Sequence, residues 1–252
     1  MARSRIALAA AFAGVVLSSW TAFGQEPAAP QTTGDAWFVY SRDGKARGYF
    51  HIVKKASGEE AAPVLLVHDM VTNETGKQKS LHMQTFCKDD AYFSPVRIVC
   101  GGEGRSATNM NARIERPAGG PSAGKFKGTV DDREVEIDIP EHTVIDFALF
   151  EIARTLPFDK DKVFEFNWTR AIGFKRPRPN RGHKVAYAGR EELEIEGKKQ
   201  TLHKFEQTGK GIQPTYYWVN DDHQLVRVLW DGRRDEFVLT TKEKATAALK
   251  AG

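Results

Sequence analysis

The chain has 252 residues and carries 37 Lys plus Arg against 33 Asp plus Glu, a formal charge of +4. So slight an excess does not predict a nucleic-acid or membrane-binding surface. The length fits one large domain or two small ones, and the apolar and aromatic content is ordinary for a packed globular protein. Two cysteines with no nearby histidine pair cannot supply the usual four ligands of a zinc site, so no metal is expected.

Taken in chain order, residues 1–24 read as a cleavable signal peptide. Arg3 and Arg5 form a positive start, Ile6 to Leu17 is apolar, and Ala22-Phe23-Gly24 is a small-x-small cleavage site before Gln25. The apolar run is short of the roughly 20 residues that a spanning helix needs. Arg3 and Arg5 leave with it, so 37 basic against 33 acidic side chains becomes 35 against 33, a charge of +2. The reading is an exported protein, periplasmic or extracellular, with no transmembrane span after processing. Residues 25–36, rich in Ala, Pro and polar groups, are expected to be a flexible leader.

Strand signals dominate from residue 37 to 240. Trp37–Tyr40 and Tyr49–Val53 are rich in aromatic and β-branched residues. Val64–Val67 is a continuous apolar run, as for a strand buried on both faces. LHMQTFC and VRIVC flank KDDAYFSP. With Phe93 and Ser94 at the turn, Cys87 faces Cys100, and in an exported protein such a pair is expected to form a disulfide. Gly- and Pro-rich stretches between 101 and 124 surround one strand at 111–116. Val135, Ile137 and Ile139 alternate with acidic residues, as Phe164, Phe166 and Trp168 alternate with Glu165 and Asn167, the pattern of half-buried strands. Tyr216–Val219, Leu225–Trp230 and Glu236–Thr240 complete a C-terminal meander. Asp131-Asp132, Gly197-Lys198, Asn220–Asp222 and Asp231-Gly232 mark tight turns between neighbours.

One helix stands out. Thr143 is placed as its N-cap, Val144, Ile145, Ala148, Leu149, Ile152, Ala153 and Leu156 fall at helical spacing, and Pro157 stops it. Phe147 and Phe150 extend the apolar surface almost all round, so it is expected inside a curved sheet. A second, polar helix over 241–250 is expected to fray in a tail spanning 241–252. The fold class is therefore mainly β, a curved antiparallel meander of about a dozen strands, half-barrel or barrel, packed around one apolar helix.

Three segments carry a resemblance: PEHTVIDFALFEIARTLPF from Pro140, YAGREELEIEGKKQTLHKFE from Tyr187, and YYWVNDDHQLVRVLWDGRRDEFVLTT from Tyr216. They resemble a group of uncharacterised secreted bacterial proteins. More loosely, they are similar to a periplasmic β-rich family of unknown function. There a Pro-x-x-Thr helix precedes a meander ending in Trp-x-x-x-Asp, which Trp218 to Asp222 fits. The resemblance implies fold and compartment, and no activity. The curved sheet is also similar to that of outer-membrane lipoprotein carriers, which hold acyl chains, a likeness of fold alone.

No catalytic motif, phosphate loop or dinucleotide fingerprint occurs, so the leading reading is a non-enzymatic binding or envelope-assembly protein with neither catalytic residues nor a cofactor, and an enzyme whose site is assembled from scattered residues is the alternative. The seven histidines have no metalloprotease spacing and read first as surface or turn residues; His68-Asp69 and His203, as ligands on neighbouring strands, are the alternative. Glu192, Glu194 and Glu196 read as the solvated face of a half-buried strand, with Glu191 on the other face. Two binding surfaces remain. Phe164, Phe166, Trp168 and Trp218 are expected to line the concave face and hold an apolar ligand such as a lipid. Lys175, Arg176, Arg178, Arg181 and Lys184, held extended by Pro177 and Pro179, form an exposed basic loop for an anionic envelope polymer. Interleaved aromatics for base stacking are missing, so no nucleic acid is expected.

Overall fold

The computed structural model describes residues 32–74, 76–103, 109–116, 123–170, 177–230 and 234–251. Closely spaced strands, several joined by two-residue turns such as Asp43-Gly44 and Asp131-Asp132, pair with their chain neighbours, and the result is a long meander. Its first half runs β1 (Thr32–Arg42), β2 (Lys45–Glu59), β3 (Ala62–Glu74), β4 (Lys77–Cys87), β5 (Pro95–Glu103), β6 (Met110–Glu115), β7 (Gly124–Val130) and β8 (Arg133–Ile139). Then come β9 (Thr143–Ile145) and the short helix α1 (Ala148–Ala153). The second half runs β10 (Val163–Arg170), β11 (Arg178–Ile195), β12 (Lys198–Gly209), β13 (Thr215–Val219), β14 (Leu225–Trp230), β15 (Asp235–Thr240) and the terminal helix α2 (Lys242–Ala251).

All fifteen strands lie in one nearly closed, barrel-shaped sheet, in the order β8 to β1, then β15 to β9. The sequence expectation of a mainly β fold around a helix holds. Every neighbouring pair is adjacent in sequence except β1 with β15, whose register runs from Trp37 opposite Thr240 to Arg42 opposite Asp235. At that junction the Tyr40 hydroxyl and the Arg42 guanidinium both donate to the buried Asp235 carboxylate, at 2.8 and 2.7 Å. The seam therefore falls in mid-chain, between β8 and β9. Turn chemistry fits the hairpins: Asp131 and Asp132 have φ of 48° and 61°, and Glu196 and Gly197 have 50° and 76°, the positive values that match strand twist.

The concave side is full. Phe147 and Phe150, beside and in α1, meet Phe50, Phe38, Tyr217, Phe237 and Trp230, with ring centroids 4.6–6.3 Å apart. All six residues of α1 are buried. The β3 run alternates between faces: Val64 and Leu66 join this core, while Leu65 and Val67 pack outside with Ala62 and Phe86. Both faces are thus covered, as the unbroken apolar run implies.

Several sequence expectations are corrected. The helix is shorter than its periodicity suggests. Val144 and Ile145, β-branched, pair in parallel with Trp168 and Thr169, and the Thr143 hydroxyl donates to the Pro140 carbonyl at 2.6 Å instead of capping. Residues 32–36, expected in the flexible leader, are strand, because β1 begins at Thr32; the rest of that segment lies outside the described residues. The terminal helix does not stand apart: it lies on β1 and β2, burying Ala245 and Ala248. The expected disulfide is absent. Asp90 turns the chain, its side chain accepting the N–H groups of Tyr92 and Ser94 at 3.1 and 2.9 Å. That moves the turn ahead of Phe93, so Cys100 faces Met83 and Cys87 faces Pro95. Four residues along a strand are about 13 Å, beyond the roughly 7 Å limit for a bridge. Both cysteines are free and buried.

Candidate functional site

The two binding surfaces expected from sequence meet at the seam, though not in the predicted form. In β10 the even-numbered residues face inward: Phe166 and Trp168 are buried, and Phe164 packs beside them. Trp218 does not join them. On β13 the inward residue is its neighbour Tyr217, so Trp218 lies on the outer face with Ile195, Leu202 and Val226, its indole N–H donating to Glu191 at 3.0 Å. The basic segment is likewise no free loop from Arg178 onward. It is the first part of β11, paired with β10 on one side and, from His183, with β12 on the other. Lys175 and Arg176 lie outside the described residues.

A bulge shapes this corner. Phe166 faces His183 and Trp168 faces Asn180, so Arg181 and Gly182 of β11 stand against the single residue Asn167 of β10. Gly182 takes φ of 74°, which a side chain would strain. Asn167 fastens the bulge: its Oδ1 accepts the Gly182 N–H at 3.3 Å, and its Nδ2 donates to the Glu141 carbonyl at 2.7 Å. The His142 ring stacks on Tyr92 at 4.5 Å, and Tyr92 meets Phe164 at 5.0 Å, so side chains tie the β4–β5 turn to β10 across the seam.

Beside the bulge lies a cleft of about 410 Å³ lined by His142, Glu165, Phe166, Asn167, Gly182, His183, Lys184, Thr208 and Gly209. Its innermost group is His183, 1% exposed, between Phe166 and an edge-on Trp168, each 5.6 Å away. The ring lies against Gly209, where an added Cβ would come within 2.2 Å of Nδ1, so only glycine leaves it room. Neither ring nitrogen has a hydrogen-bond partner, and burial pushes its pKa down, which keeps the ring neutral. Along the same hairpin, Arg170 stands directly opposite Arg178, and the Arg170 guanidinium sits 5.2 Å over the Trp168 ring. Arg178, Arg181 and Lys184 are exposed.

Two other polar groupings are internally satisfied. On β11 and β12 the Tyr187 hydroxyl and the Asp221 carboxylate take the two nitrogens of His203 at 2.9 and 2.8 Å, and Phe158 stacks on that ring at 3.5 Å. The His203 hydrogen bond, aided by the Arg190 charge, lowers the Asp221 pKa. On the outer face, Asp69 lies between His51 and His82, and His51 also reaches Asp35 at 2.8 Å. Burial opposes ionisation of Asp69, but these two histidines outweigh it and hold its pKa low. His68 and His203 do not meet, since β3 and β12 are not neighbours. Among the described residues no group of three His, Cys, Asp or Glu side chains is arranged to hold a metal. The Glu191, Glu192 and Glu196 carboxylates pair separately with Lys204, Lys199 and Lys244, so they do not converge. The alternation in β10 was legible in the sequence; the bulge and the buried His183 carry no sequence signal beyond an Arg-Gly-His run.

Among solved structures, the chain is similar to the crystal structure of a beta-barrel-like protein of the domain of unknown function DUF1849 from Brucella abortus. The two are 12% identical with a TM-score of 0.48, over 82% of this chain and 95% of that one. No protein-family model and no curated protein matches the chain.

Proposed function

We propose that this is an exported binding protein that takes an anionic polymer of the cell envelope along the basic end of the β10–β11 hairpin. The observation that carries this reading is the placement of Arg170 directly across from Arg178, with Arg181 on the adjoining bulge and Lys184 just beyond. Exposed positive charge gathered on one stretch of strand, here Arg178, Arg181 and Lys184, draws an anion toward it. An acyl-chain ligand fits less well, because Phe147, Leu149 and Phe150 occupy the interior that it would need.

The test is retention on immobilised polyphosphate and on immobilised polygalacturonate at low salt. Wild-type protein should be held and should elute as salt shortens the Debye length to about 8 Å. The combined change Arg178→Ser, Arg181→Ser, Lys184→Ser should abolish retention with the melting curve unmoved, since exposed charges contribute little to stability. Undiminished retention of that variant on both matrices would sink the proposal. Material recovered after export should begin at Gln25.

A further inference from the structure

The cleft beside the basic strand has a chemistry of its own. His183 is fully enclosed on the protein side, yet neither nitrogen has a partner. A buried polar group left in this state is costly unless something completes it, and this one borders an open cleft. Its neutral imidazole offers one donor and one acceptor. A phosphate or carboxylate asks for donors only and would lose its water against Phe166 and Trp168. A hydroxyl both gives and accepts, and so matches the ring. The rings of Phe166 and His142 and the side chain of Thr208 line the same cleft. Aromatic rings set among imidazole, amide and hydroxyl side chains, with Glu165 and Lys184 also on the wall, suit a ring that is apolar on its faces and hydroxylated at its edge. The volume, about 410 Å³, lies within the ordinary range for small-molecule sites.

We infer that the cleft receives one sugar ring of an acidic polysaccharide, its hydroxyls meeting His183 while its acidic group stays outside with the basic strand. This rests on the polyanion reading above and narrows it: a polyphosphate satisfies the basic strand alone, whereas a uronic polymer satisfies both. Gly182 and Gly209 have a clear purpose in this scheme. The first lets β11 bulge around Asn167, and the second leaves the space that the His183 ring fills.

The probe is trigalacturonate, titrated into the full exported chain and followed by calorimetry, beside the polyphosphate and polygalacturonate matrices. His183→Phe keeps a flat ring and removes both nitrogens. Its trigalacturonate affinity should fall roughly tenfold, the loss of about one hydrogen bond, while polyphosphate retention stays as in wild type. Should that variant not fold, His142→Ala at the rim replaces it, with the same expected loss. Wild-type affinity for trigalacturonate in the folded variant would overturn the cleft assignment and leave the polyanion reading standing. Retention of polyphosphate without any trigalacturonate binding would overturn the sugar assignment in the same way. Trigalacturonate binding that depends on His183, with neither matrix retaining the protein, would uphold the cleft and remove the polyanion reading. No binding to any of the three removes both.

Discussion

His68 and His183 face the same concave surface, are 0% and 1% exposed, and leave both ring nitrogens without partners. Their settings differ. His68 is sealed, its ring parallel to Phe50 at 5.9 Å and 5.8 Å from Phe147, deep in the aromatic packing that α1 completes. His183 borders a cleft at the seam. The same chemical deficit is therefore a fixed cost of the fold at one position, and at the other it is what the proposed ligand would satisfy. What separates them is the helix, which fills the middle of the barrel and leaves the seam corner open.

The largest effect expected of that division is at the sealed end. Leu149, 3% exposed in α1, belongs to the main core cluster, so Leu149→Ala should leave a cavity and cost about 2–5 kcal/mol, read from the urea midpoint. His183→Phe, at the open corner, should move that midpoint little. Equal losses would mean that the cleft is part of the core.

A pH series is the next discriminator. Burial pushes the pKa of His68 down to about 3 from 6.5. Between those values the unfolded chain holds a proton that the folded chain refuses. Stability is then intact above about pH 6.5 and falls toward pH 3 by about 1.4 kcal/mol per unit for this one group. His68→Phe should flatten that slope in urea midpoints measured from pH 7 to pH 4. The slope that remains should include His183, whose pKa is also lowered by burial. A variant with an unchanged slope would show that His68 is not the sealed group.

The smallest effect is a null one. Burial pushes the Cys100 thiol up to about 12 and that of Cys87 higher still. Native protein should resist alkylation at pH 8, and denatured protein should take up two labels. A linked Cys87–Cys100 peptide would contradict the β4–β5 register.

Most of the barrel was legible because its signals are local. Alternation in β8 and β10, the two-faced run in β3, and turn pairs such as Asp131-Asp132 each depend on a few adjacent residues. The misreadings share another cause. The Cys87–Cys100 pairing, the cap at Thr143 and the facing of Trp218 depended on register or on competition between strand and helix, where a shift of one or two residues reverses the outcome. The site was half legible: Phe166 and Lys184 were named in advance for different roles. Their meeting at one cleft needed the bulge at Arg181-Gly182, which no period in the sequence announces. His183 passed as a surface residue because its burial comes from Phe166, Trp168 and Gly209, on strands that only the fold brings together.

The junction of β1 with β15 sets the order in which this molecule can be completed. Each of the other pairings joins strands that leave the ribosome, or arrive across a membrane, one after the next. Tyr40 and Asp235 lie 195 positions apart. Joining such distant points costs little extra at equilibrium, since each doubling of loop length adds only about 0.6 kcal/mol, but contacts of long sequence separation form slowly. Two open meanders should therefore exist first, each with a bare strand edge facing solvent. The buried carboxylate of Asp235, gripped by Tyr40 and Arg42, is then the last piece set, and until it is in place the edges of β1 and β15 are the part of the chain most open to the wrong partner.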